Sequence, residues 1–257
     1  MFPSLMKGPI INNVLVELAK ELDNNNEIFL SEADLQFSFA KKLMELYRDA
    51  KIILEYPILT CKLYENTPCC QKYIKENYRD NCKDKDCKFR NDRTYIDLYF
   101  ELGNEKYFIE FKYKLEEIGE VNRHNCCKTI LKKQGAEYIG RHHVYEDIER
   151  MENIIKIQKV PKNVKAYVIM ITNDESYWGK NQKEGQTTYN FPLANIKETT
   201  TTTKYGDLTY KTSATKPPRT LHIEKSYKIE WSKFITLDKV KNEVFNVLQI
   251  DCSTPIK

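Results

Sequence analysis

Three residues in the middle of the chain have the types and spacing to do chemistry on a charged substrate. They are Asp97 in "RTYIDLYFEL" and Glu110 and Lys112 in "EKYFIEFKYK". Only Gly103 and Asn104 separate the two runs, and a Gly-Asn pair between strand-like segments signals a two-residue hairpin. That loop sets the register, with Leu102 opposite Glu105, Glu101 opposite Lys106, Tyr99 opposite Phe108, Asp97 opposite Glu110 and Tyr95 opposite Lys112. Alternation then places Ile96, Leu98, Phe100, Tyr107, Ile109 and Phe111 on an apolar face, and Asp97, Glu110 and Lys112 on the other. Two carboxylates opposed at about 4.5–5.5 Å repel unless something neutralises them, and a divalent cation does so. Oxygen donors suit Mg2+ or Mn2+, which keep water that can attack a phosphodiester. An ammonium on the same face can orient that water or stabilise charge growing on phosphorus.

The elements that must hold this hairpin follow from periodicity. Val14, Leu15, Leu18, Ala19 and Leu22 mark a first helix, closed by the polar run Asp23 to Asn26. Ser31 caps a second, "SEADLQFSFAKKLMELY", whose Leu35, Phe39, Leu43 and Leu46 form one stripe. "KIILEYPIL" reads as a strand that Pro57 pushes toward a sheet edge. After the hairpin, residues 127–157 read as helix in two pieces broken near Gly140, and "VKAYVIMITND" as a buried strand. The tail carries the low-complexity run Thr199 to Thr203 among ribbon-like segments "YNFPL", "LTYKT" and "LHIEKSYKIEWSKF", and "DKVKNEVFNVL" is expected as a final short helix.

Asp97 followed by Glu110-Phe111-Lys112 in strand context resembles the PD-(D/E)XK nuclease superfamily, which includes many restriction endonucleases, RecB-type exonucleases and junction resolvases. Ile96 stands where the motif has Pro. The resemblance implies an α/β fold with a restriction-endonuclease-like three-layer core, a central mixed β-sheet flanked by helices. It implies a Mg2+-dependent DNA endonuclease of restriction or defence type, cutting without a covalent intermediate. The family's preceding helix often donates a Glu to the metal, a place Glu32 matches, with Asp34 and Gln36 as rivals. Asp97, Glu110 and Glu32 are thus the expected ligands. Gln134-Gly-Ala-Glu-Tyr138 is similar to the Q-x-x-x-Y motif of RecB-type members, so Gln134 is expected to support the site and Tyr138 to touch substrate, both on one helical face.

On this reading residues 1–257 are a single nuclease domain with its catalytic core at about 31–174, a Cys-rich insertion at about 61–90 and a β-rich C-terminal appendage at about 175–257. Such appendages usually read DNA in restriction-type members, which makes "KTSATKPPRTLHIEKSYK", with Lys216 and Arg219, the expected DNA-contacting element. Many of those relatives cut as dimers, so a homodimer is expected by analogy.

Composition bounds these expectations. With 257 residues, 30% charged and 41% hydrophobic, the chain has the make-up of a globular protein. No apolar run approaches the roughly 18–20 residues of a membrane helix, and "MFPSLMKGPIINNVLVELAKEL" carries charges through its apolar part, so no membrane association and a cytoplasmic location are expected. A net charge of +4 announces no polyanion partner by itself, although "KFRNDR" and "YKTSATKPPR" are basic. Among eight cysteines, Cys69, Cys70, Cys82 and Cys87, with Cys61 nearby, lie close enough in sequence for a structural Zn2+ or an Fe-S cluster, yet lack C-x-x-C spacing; free thiols are the alternative. His142 and His143 are adjacent, point different ways on a helix and read as surface residues. The competing functions are a nuclease-fold nucleic-acid-binding module without catalysis, and a RecB-like or junction-resolving nuclease.

Overall fold

The computed structural model describes residues 9–59, 63, 93–123, 127–158, 161–179, 191–193, 202–210, 219–238 and 244–254. The first helical repeat becomes α1 (Pro9–Asn25), with Ile11, Val14, Leu15, Leu18, Ala19 and Leu22 buried. The second becomes α2 (Glu32–Leu46), where the Ser31 hydroxyl accepts the Asp34 N–H at 3.1 Å as the sequence requires. Leu35, Phe39 and Leu43 are buried, while Leu46 on the last turn is exposed.

Strands β1 (Lys51–Leu59), β2 (Arg93–Leu102) and β3 (Glu105–Lys114) follow as an antiparallel meander. Gly103 adopts φ 60° at the first loop position, which a II′ turn requires to be glycine. A small hairpin of β4 (Ile118–Arg123) and β5 (Cys127–Leu131) leads into α3 (Glu137–Ile157), and β6 (Val164–Thr172) returns parallel to β3. A parallel neighbour needs a long crossover, which α3 supplies. Beyond it, β7 (Gly206–Tyr210) and β8 (Arg219–Ile223) form a ribbon, and β9 (Trp231–Thr236) and β10 (Val244–Asp251) complete a six-stranded sheet of order β1-β2-β3-β6-β10-β9. The fold is therefore mixed α/β, a central mixed sheet with helices on both faces.

Two apolar layers hold it. Leu98, Phe100, Tyr107, Ile109, Phe111 and Tyr113 pack with α1 and α2 on one face. Tyr99, Phe108, Val168 and Met170 pack with Val144, Ile148, Met151 and Ile154 of α3 on the other. Ring stacks of Phe100 on Tyr107 (4.3 Å) and of Tyr56 on Tyr99 (4.3 Å) sit on the two faces of the meander.

Four sequence expectations are corrected. Residues 127–131 form strand β5 rather than helix, as β-branched Thr129 and Ile130 favour. The helix then runs unbroken through Gly140, which is there for space. A Cβ at that position would lie 2.0 Å from the Tyr177 hydroxyl. The segment read as a last helix contains β10, which pairs with β6 over Asn246–Asp251. Its Phe245, Val247, Leu248 and Ile250 are buried, and so short an apolar run cannot be told from a helix by pattern alone. Because β9 and β10 belong to the central sheet and β7–β8 covers α3 through Leu208, Tyr210, Leu221 and Ile223, the tail is part of the core and not an appendage outside a 31–174 unit.

Candidate functional site

The hairpin keeps its expected register from Leu102↔Glu105 to Leu98↔Ile109, and there the ladder stops. Below that point β2 continues against β1 and β3 continues against β6, so the two strands fork at Asp97 and Glu110. Had pairing continued, the N–H groups of Phe111 and Tyr113 would have donated to β2 carbonyls, because alternate residues face the partner. Two carboxylates satisfy them instead. Phe111 N–H donates to Asp97 Oδ2 at 2.6 Å, and Tyr113 N–H donates to Glu32 Oε2 at 2.9 Å. Strict alternation fails here as well, since Ile96 joins the core beneath α3 while Leu98 stays beneath α2.

The fork therefore gathers Asp97 from β2, Glu110 and Lys112 from β3 and Glu32 from the first turn of α2. Of the rival helix carboxylates, Asp34 faces elsewhere. It accepts the Leu30 N–H at 2.9 Å and pairs with Arg123 of β4, whose guanidinium also reaches Glu27 and Ser38. This network ties β4 to the start of α2 and fixes where Glu32 emerges.

The polar face is covered by α3, leaving Glu110 only 1% exposed. Arg150 of α3 donates to Glu110 Oε1 and lies 3.3 Å from Asp147 Oδ1, while Asp147 Oδ2 is 2.8 Å from Lys112 Nζ. Lys112 also donates to the Phe111 carbonyl at 2.9 Å. Burial pushes Glu110 well above the ordinary carboxylate range, with the neighbouring Asp147 adding to it. Asp97 and Glu32 are raised for the same first reason, although Lys112 and the β3 N–H groups partly offset it. Burial opposes the charge on Lys112, but Asp147, Glu32 and Glu110 outweigh it and hold the ammonium charged.

The carboxylates offer hard oxygen donors of the class that Mg2+ or Mn2+ takes, although the donor atoms of the three do not all lie within 4.8 Å of one another. Asp97, Glu110 and Glu32 are the residues that could supply such donors.

Comparison with protein-family models, curated proteins and solved structures finds no match in any of the three.

Other sequence-based site residues fare differently. Gln134 is exposed and precedes α3, because Gly135 at φ 65° ends any helix there, so Gln134 and Tyr138 do not share a helical face and neither joins the fork. Arg219 sits at the start of β8 opposite Tyr210. Lys216 and the cysteines Cys61, Cys69, Cys70, Cys82 and Cys87 lie outside the described residues. Cys252 is buried with a free thiol. Among the described residues no helix is long and apolar enough to cross a membrane.

Sequence reasoning missed Asp147 and Arg150, whose one-turn spacing on a charged helix resembles ordinary surface pairing. It also missed Glu55, which faces Asp97 across β1 in a left-handed conformation (φ 52°) between the pairs Leu54↔Leu98 and Tyr56↔Ile96. A non-glycine residue in that region is strained, and its placement beside a carboxylate cluster marks the site.

Proposed function

We propose that this chain is a Mg2+-dependent deoxyribonuclease of the PD-(D/E)XK type, hydrolysing phosphodiester bonds in restriction or defence. The observation that carries the reading is the fork, where Asp97 and Glu110 meet with Lys112 two residues further along β3 and Glu32 beside them. A mixed sheet with a helix before it and a parallel β3–β6 pair after it agrees with a restriction-endonuclease-like core.

A divalent cation held there would supply an activated water and offset charge on the phosphate. Asp97 and Glu32 are anchored by the Phe111 and Tyr113 N–H groups, which fixes one oxygen of each and leaves the other for the cation. Lys112, held by Asp147, presents a permanent positive charge to the phosphorus centre as negative charge grows on its oxygens. Arg150 pairs with both Glu110 and Asp147, which places a guanidinium at the fork where a phosphate would be met. Cutting both strands of a duplex with one such site per chain calls for two copies, so a homodimer on DNA in the cytoplasm is part of the proposal.

One observation favours a second reading. Arg150 and Asp147 already neutralise Glu110 and Lys112, as they would in a nucleic-acid-binding module without catalysis. The test is incubation of the full chain with plasmid, linear and branched DNA in Mg2+ or Mn2+, with and without EDTA. The nuclease reading predicts metal-dependent products lost in Glu110→Gln and Lys112→Ala while DNA binding survives. Binding without products in any metal supports the second reading.

A further inference from the structure

We propose that His142, His143 and Glu146 of α3 form a binding site for a Zn2+ ion, separate from the oxygen-donor fork. One donor atom from each of the three lies within 4.8 Å of the other two. Adjacent histidines on a helix diverge by about 100°, which argued against a shared site, but the third residue resolves this. Glu146 falls about 40° beyond His142 and about 60° before His143 around the helix axis, so it stands between them.

The surroundings are built for a ligand set. The Tyr210 hydroxyl of β7 donates to Glu146 Oε1 at 2.6 Å, leaving Oε2 on the histidine side, 3.9 Å from His143 Nε2. An outer hydrogen bond of this kind orients a ligating carboxylate. His142 is 3% exposed and packed against Phe191 and Tyr210, so it is no surface histidine, and its ring is positioned by the tail. Around a tetrahedral Zn2+ with bonds of about 2.0–2.2 Å, donor atoms stand about 3.3–3.5 Å apart. His143 and Glu146, with side chains 42% and 23% exposed, have room to close the small remaining distance. Two imidazoles and one carboxylate select Zn2+ over Mg2+, and three protein ligands leave one position for water. The Tyr210 hydrogen bond ties the ribbon to this site, whose Glu146 directly precedes Asp147.

The inference stands on these three residues and does not depend on the nuclease reading. The test uses the full chain freed of metal with a chelator, titrated with ZnCl2 by calorimetry and with Co2+ by absorbance. The expected result is a Zn2+ equivalent that disappears in His143→Ala and in Glu146→Gln, persists in Glu110→Gln, and gives visible Co2+ bands without the intense near-ultraviolet absorption of thiolate ligands. Tyr210→Phe, which keeps the ring, should weaken Zn2+ by about 10–100-fold. Circular dichroism confirms that each variant is folded. Failure of the wild-type chain to take up Zn2+, or uptake unchanged in His143→Ala and Glu146→Gln, overturns the proposal.

Discussion

Asp147 on α3 stands 2.8 Å from the ammonium of Lys112 on β3, so the strand cation of the fork is set by a helix 35 residues further along the chain. Asp147 is therefore a positioning residue in the proposed reaction. Asp147→Asn keeps the shape and removes the charge. Its expected effect is a fall in kcat of about 10–100-fold with KM little changed, as for an interaction made in the transition state. Steady-state kinetics on a labelled duplex would check it, and loss through KM alone would assign Asp147 to substrate binding.

Cation binding at the fork must displace protons, because burial raises the proton affinity of Glu110, Asp97 and Glu32. Mn2+ affinity should tighten as pH rises above the ordinary carboxylate range, and each binding event should release protons. Calorimetry in buffers of different ionisation heat measures that number directly. Arg150→Ala removes the competitor for Glu110 and should shift the midpoint of this dependence.

Glu149 provides a stability test with a defined sign. Burial raises its pKa to about 7, although the His222 N–H donates to it at 2.7 Å. Between the ordinary glutamate value and about 7 the folded state holds the extra proton, so this group's contribution favours folding at acidic pH and is lost as pH rises through that window. The stability difference between wild type and Glu149→Gln should change by on the order of 3 kcal/mol from pH 4 to 8, moving against wild type. Urea denaturation across the range reads it out, and a flat difference would show that Glu149 titrates normally.

Gly140→Ala places a methyl group on the Tyr177 hydroxyl, 2.0 Å away. Overpacking of this kind costs about 1–3 kcal/mol. The double variant Gly140→Ala/Tyr177→Phe should recover part of that, since the clashing oxygen is gone. Thermal melts of the four proteins in the cycle give the coupling.

Arg123 is buried between Glu27, Asp34 and Ser38. Arg123→Met leaves two carboxylates without their cation and should destabilise the fold by about 3–5 kcal/mol. It should also weaken Mn2+ binding, because the first turn of α2 carries Glu32. A variant that melts lower yet binds Mn2+ normally would separate the two roles.

The sequence by itself determined the local parts of this protein. Gly103 and Asn104 set the turn, and alternation on either side set the register down to Leu98↔Ile109. Ser31 set the start of α2, and Asp97, Glu110 and Lys112 were legible because they lie close together on one hairpin. These features depend on neighbours a few residues away, where period and turn chemistry carry the information. Tertiary structure decided the rest. It opened the hairpin at Asp97, chose Glu32 over Asp34 by tying Asp34 to Arg123, and brought Asp147 and Arg150 down onto Glu110 and Lys112. It also made a strand of Val244–Asp251, because the free edge of β6 is paired there and so short an apolar run carries no distinguishing period. The carboxylates that meet in the fork come from α2, β2 and β3, and no local pattern records which N–H groups a forked sheet leaves for them to bind.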